Sequence, residues 1–141
     1  MLTKQLSIFL ENKRGRFTEV AKLMGEKGIN MRAFTVSESS DFGILRLIVS
    51  DTEEAINVLR EHKYAVSVAD VVCLHCPNSP GALGRAMDII TNAGIFVEYM
   101  YAFSEGDSAN VIIRPDNLDK CVEVLTANKL VLLAMSDLYK L

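Results

Sequence analysis

The sequence predicts an α+β chain of two βαββαβ units, each with an antiparallel sheet and both helices on one face. Two observations predict it. Apolar runs of strand period alternate with stretches of helix period along the 141 residues. The same punctuation also occurs twice: Asn12-Lys13-Arg14-Gly15 leads to Gly28-Ile29-Asn30, and Asn78-Ser79-Pro80-Gly81 leads to Gly94-Ile95-Phe96. At one constant offset Asn12 matches Asn78, Gly15 matches Gly81, Gly28 matches Gly94 and Lys63 matches Lys129, and most of these stand where backbone geometry restricts residue choice.

The elements follow in order. Leu2, Leu6, Ile8 and Leu10 alternate with Thr3, Gln5, Ser7 and Phe9, the period of a strand covered on one face. A helix starts near Gly15, with Phe17, Val20, Leu23 and Met24 at three- and four-residue steps, and Gly28 stands where a left-handed C-cap is wanted. Residues 30–38 and 43–50 read as strands around the turn Ser39-Ser40-Asp41. Asp51-Thr52-Glu53-Glu54 opens a second helix with acid at its positive end, and Ala55, Ile56, Val58 and Leu59 form its buried stripe. In the second copy Leu83, Ala86, Met87, Ile89 and Ile90 form the first stripe, 95–103 and 109–114 are strands, Pro115 and Asp116 mark a stop and a start, and Cys121, Val122, Val124 and Leu125 form the last stripe.

No linker rich in Gly, Pro or Ser separates the copies, so the run 64–76 has to supply the last strand of one and the first strand of the next. We place domain 1 at 1–69 and domain 2 at 70–141. Units of about 70 residues are marginal alone and gain from pairing. The order βαββαβ is that of the ferredoxin-like fold, which serves many functions.

Half the residues are hydrophobic and 23% are charged, enough for packed cores and too apolar for a disordered chain. A net charge of −3 gives no basic field for a phosphate backbone, so no nucleic acid is expected as partner. No apolar run approaches the roughly 20 residues of a membrane span, and the first residues do not read as a signal peptide. The expectation is a cytoplasmic protein with no membrane partner. Three cysteines, Cys73, Cys76 and Cys121, suit a reducing compartment.

The loop Asn78-Ser79-Pro80-Gly81-Ala82-Leu83, its counterpart Asn12-Lys13-Arg14-Gly15-Arg16-Phe17, and Gly28-Ile29-Asn30-Met31 at the second strand resemble the ACT domain, a small regulatory module that binds amino acids. Two such modules cover the chain. Arg14 departs from the family's Pro, and Phe96 from its Asn. The resemblance implies a ligand between the loop of one unit and the second strand of its neighbour, bringing the intact 78–83 loop to Asn30 and Met31. The 12–17 loop, facing Phe96 and Val97, would be the weaker site.

Such a pocket needs clustered N–H donors, neutral acceptors and a shaped wall. Amides at Ser79, Gly81, Ala82 and Leu83, at the positive end of a helix, can take a carboxylate, with Pro80 shaping the turn. Side-chain oxygens of Asn78 or Asn30 can accept from an ammonium. Asn12 and Gly15 repeat the arrangement. The ligand expected is a free amino acid, with no cofactor and no metal. A metabolic enzyme or regulator is the expected partner, and open edge strands suggest a homodimer. The alternative is a regulatory subunit that binds no ligand, dimerises and holds an enzyme.

Other signals have plainer readings. Cys73-Leu74-His75-Cys76 has redox or zinc spacing, but on a strand residues three apart point to opposite faces. Tyr99, Tyr101 and Phe103 share a strand face and suit packing better than RNA stacking. Lys13, Arg14 and Arg16 form a small basic cluster that suits a solvated surface or an anionic ligand group. No Ser/His/Asp set, carboxylate pair or phosphate loop occurs, so an enzyme is not expected.

Overall fold

The computed structural model describes residues 2–38 and 41–134, so Ser39 and Ser40 of the expected turn and the end of domain 2 lie outside the described residues. The elements run β1 (Thr3–Glu11), α1 (Arg16–Glu26), β2 (Met31–Glu38), β3 (Phe42–Val49), α2 (Thr52–Glu61), β4 (Ala65–Pro77), α3 (Ala82–Asn92), β5 (Val97–Glu105), β6 (Ser108–Pro115), α4 (Leu118–Ala127) and β7 (Val131–Leu132). The chain folds into two compact units, one formed by Lys4–Ala69 and the other by the chain from Asp70 together with Leu2 and Thr3. The strand β4 is continuous through that division.

In the N-terminal unit the strand order is β2-β3-β1-β4, and in the second unit β5-β6-β4-β7. The pairings β1 with β3, β2 with β3, β4 with β6, β5 with β6 and β4 with β7 are all antiparallel. Each unit buries one sheet face against its two helices. Leu6, Ile8, Leu45 and Leu47 meet Val20, Met24, Ala55 and Leu59 in the first core. Val72, Leu74, Val111 and Ile113 meet Ala86, Ile90, Cys121 and Leu125 in the second. Each fully buried Leu or Ile contributes about 1.5–3 kcal/mol.

All four described helices stop in the same way. Gly28 N–H reaches Gly25 O while Ile29 N–H reaches Met24 O, and the equivalent pair of bonds closes α2 at Lys63 and Tyr64, α3 at Gly94 and Ile95, and α4 at Lys129 and Leu130. The residue at the turn is left-handed in each case: φ is 69° at Gly28, 64° at Lys63, 75° at Gly94 and 62° at Lys129. Asp51 begins α2, its carboxylate accepting from Glu54 N–H at 3.1 Å.

Three expectations are corrected. Thr3, Gln5 and Ser7 are buried, as are Ala33, Ile48, Cys73 and Ile112, so the sheet face away from the helices is covered at these positions, although not at Phe9 or Phe42. Alternating polarity reports side-chain chemistry, not coverage: Thr and Ser are short, and Gln5 Nε2 donates to Ser7 Oγ at 3.4 Å. Leu83 is 39% exposed, because the row turned inward is Ala82, Ala86 and Ile90 at four-residue steps, and Leu83 stands one step round the helix from it. Asp116 does not cap α4. Asn117 does, accepting from Lys120 N–H at 3.1 Å, while Asp116 receives Phe96 N–H at 3.0 Å.

Candidate functional site

The two loops repeat one backbone geometry in two different chemical settings. Gly15 (φ 88°, ψ −2°) and Gly81 (φ 87°, ψ −14°) are the left-handed N-caps of α1 and α3, and neither helix has a side-chain cap. That conformation is close to free for glycine and strained for other residues. In the second loop Asn78 N–H is fixed to Asp107 O at 2.8 Å, and Ala82 N–H closes the turn on Ser79 O at 3.2 Å. The Ala82 amide, expected to face a ligand, is therefore already engaged. Amides of Ser79, Gly81 and Leu83 find no protein acceptor among the described residues. Asn78, Ser79, Pro80 and Gly81 are all exposed.

Among the four described helices α3 alone has no acidic residue in its first turn. Arg85, one turn in, folds back over the loop: its Nη1 lies 3.0 Å from where a Cβ on Gly81 would stand. The helix dipole and the guanidinium thus bring positive charge to the same spot. Arg85 escaped the sequence reading, although an Arg four residues after the glycine, with no acid between, is a legible signal.

In the first loop Lys13 and Arg16 are already engaged by acids. Lys13 Nζ pairs with Glu11 at 3.0 Å, and Arg16 reaches Glu11 at 3.4 Å and Glu19 at 3.1 Å. The Lys13 hydrogen bond and charge, with Arg16, hold the Glu11 carboxyl below its ordinary range. Glu19 is lowered first by the Tyr64 hydroxyl, which donates to it at 2.7 Å, and then by Arg16. The basic cluster read from sequence is thus largely neutralised by these acids. A cavity of about 350 Å³ opens beside this loop, bordered by Asn12, Arg14, Phe17, Val36 and Gly43.

Asn30 precedes β2, exposed, and exchanges two bonds with Ser50: its N–H donates to Ser50 Oγ at 2.9 Å and its carbonyl accepts Ser50 N–H at 2.9 Å. Phe96 and Asp116 repeat this exchange in the second unit. Met31 packs half-buried on the first core. Within the N-terminal unit, Asn12 and Gly15 stand at one end of the sheet, where Glu11 faces Phe42, and Asn30 and Met31 at the other, where Met31 faces Val49. A single unit does not bring its own loop to its own Asn30.

The thiols are free and buried, Cys76 in the core and Cys73 on the opposite sheet face. Burial pushes the Cys73 thiol up to about 12 and Cys121 to about 11, which suits inert packing residues. His75 Nδ1 lies 2.7 Å from the Oδ1 of fully buried Asn110, whose Nδ2 donates to Glu105 at 3.2 Å. Tyr99, Tyr101 and Phe103 are half-buried. No described helix is long and apolar enough to cross a membrane.

Two antiparallel α+β modules in tandem, each opening its first helix from a glycine-capped loop, define a ferredoxin-like double module. The chain belongs to the ACT domain pair family, whose model matches residues 1–141. It is similar over its whole length to the solved protein BT0572 from Bacteroides thetaiotaomicron, with 52% identity, 98% of that chain covered and a TM-score of 0.96. Its fold is also similar to the regulatory subunit of aspartate kinase from Thermus thermophilus in ligand-free form (12% identity, 88% of this chain and 90% of that one, TM-score 0.66). The corresponding subunit from Thermus flavus gives 13%, 90% and 93%, with a TM-score of 0.63. No curated protein matches the sequence.

Proposed function

We propose that this chain is a regulatory protein that binds a free amino acid on the 78–83 loop and signals its level to a metabolic enzyme or regulator. The observation that carries the reading is the second loop itself, where three unpartnered amides, an acid-free helix start and the Arg85 guanidinium converge around Gly81. A carboxylate suits that field. Asn78 accepts from the ammonium, and Asn30 and Met31, assigned to the same site by the family resemblance, complete it. The 12–17 loop, where Lys13 and Arg16 are already paired with acids, is the weaker site.

The two modules divide near residue 69, and the chain works as a homodimer in the cytoplasm. Resemblance in fold to regulatory subunits of aspartate kinase supports a separate enzyme as the partner. Binding one arrangement of the modules better than another gives a coupling of about 1–3 kcal/mol.

One observation favours a second reading, a subunit that holds an enzyme without any ligand: Arg85 already lies over Gly81. A thermal-shift screen of the free amino acids on the intact chain and on Arg85→Ala separates the two. An amino acid that stabilises the intact chain, less so after Asn78→Ala, supports the sensor. If no amino acid shifts either protein, and one enzyme co-purifies stoichiometrically, the holding subunit stands.

A further inference from the structure

The cavity of about 350 Å³ beside the 12–17 loop is bordered by two opposite charges that the proposed function leaves unused, Arg14 and Glu38. Lys13 and Arg16 are engaged by Glu11 and Glu19, but neither the Arg14 nor the Glu38 side chain has a partner among the described residues. The two share one small cavity without pairing to each other.

The sheet holds them apart. Register sets Gly43 between Leu10 of β1 and Glu38 of β2, so those two stand about 10 Å from each other across two strand spacings. Arg14 lies in the loop beyond the end of β1. Val36 pairs with Leu45 and Glu38 with Gly43, which puts both on the face that Leu45 shares with the first core, the face that α1 covers. Gly43 puts no side chain into the space above it: a Cβ there would meet nothing nearer than Asn12 Oδ1 and Ser37 O, each at 3.8 Å. Phe17 and Val36 give the cavity an apolar wall, and the Phe17 ring stands 5.7 Å from that of Phe34. The volume falls at the low end of small-molecule sites, roughly 300–1,000 Å³, and so suits a small ligand.

We propose that this cavity takes a short apolar dipeptide, with its ammonium on Glu38, its carboxylate on Arg14 and its side chains on Phe17 and Val36. A free α-amino acid carries both charges on one carbon and cannot reach the two sides together, which agrees with a weak site for free amino acids at this loop. A dipeptide separates them by one more residue, about 3.5 Å of chain. No residue of the 78–83 loop takes part.

Titration of the full chain with alanylvaline, followed by backbone amide NMR, tests this. Saturable shifts at residues 10–17, 36–38 and 43 are expected, with a Kd of roughly 0.1–10 mM for so small a compound. Free valine and N-acetylalanylvaline, which lacks the ammonium, are each expected to bind there about tenfold more weakly. Glu38→Gln is expected to bring the dipeptide down to the affinity of its acetylated form, and Arg14→Gln to weaken both. Gly43 is not left-handed, so Gly43→Val is expected to fill the cavity and block binding without lowering Tm. Absence of saturation well past about 10 mM, equal affinity for the dipeptide and its acetylated form, or shifts confined to 78–83 would overturn the proposal. Gly81→Ala, which removes the amino-acid site proposed above, is expected to leave these shifts in place, and their loss would also overturn it. Dipeptide binding with no amino-acid binding anywhere supports the cavity and sinks only the 78–83 site.

Discussion

The guanidinium of Arg85 lies over the bare Cα of Gly81, its Nη1 only 3.0 Å from the position a Cβ would take. At Gly15 nothing lies within 4 Å of that position. Both glycines are left-handed, so alanine at either is strained by about 1–2 kcal/mol. Because Arg85 is flexible and can swing aside, Gly15→Ala and Gly81→Ala should lose similar stability in urea melts, within about 0.5 kcal/mol of each other. A much larger loss at Gly81 would mean that the guanidinium is structurally fixed. Only Gly81→Ala should abolish amino-acid binding.

The caps of the second helix in each unit are separable in the same way. Asp51→Ala and Asn117→Ala each remove a side-chain acceptor from an exposed helix start and should cost about 1 kcal/mol in thermal or chemical melts. Asp116→Ala should leave the α4 cap intact and instead loosen the turn at Phe96. Amide exchange at Phe96, faster in Asp116→Ala and unchanged in Asn117→Ala, checks the assignment.

Lys63 and Lys129 occupy a left-handed position that Gly28 and Gly94 fill in the other two helices. Lysine there is strained where glycine is not. Lys129→Gly should raise stability by about 0.5–1 kcal/mol, less than the full strain because glycine also loosens the unfolded chain. A drop in Tm for Lys129→Gly would show that the lysine side chain makes a compensating contact.

The buried thiols set an alkaline limit. Their folded pKa values are raised, so both states stay protonated and stability is flat below about pH 9, the ordinary thiol value. Between there and about 12 for Cys73, and about 11 for Cys121, the unfolded chain loses protons that the folded chain keeps. Stability should fall there by about 1.4 kcal/mol per pH unit for each thiol. Cys73→Ala should flatten the slope, and an unchanged slope would assign it to other groups. At pH 8 a thiol reagent should react only on unfolding.

Much of this fold is legible in the chain because its signals are local. Gly28 and Gly94 end helices that begin after Gly15 and Gly81, and Asp51 announces α2, since each depends only on backbone angles or on a side chain reaching three residues ahead. Coverage is not local, which is why Thr3, Gln5 and Ser7 read as the uncovered face of a strand and are buried. The exact residue that starts a helix is also decided in three dimensions: Asp116 and Asn117 are both good caps by type, and the return of Phe96 recruits the first of them. In the candidate site, the loop glycines are visible from their repeated spacing. The spacing of Arg85 four residues after Gly81 is legible too, but that its guanidinium folds back over the glycine is not, because it depends on a side-chain rotamer.

Isothermal titration of the full chain against the free amino acids, one at a time, tests the central claim most directly. The account predicts saturable heat with at least one of them, at a Kd of roughly 1 µM to 1 mM, weakened in Asn78→Ala and lost in Gly81→Ala. Absence of heat with every amino acid, or heat that survives Gly81→Ala unchanged, would contradict it.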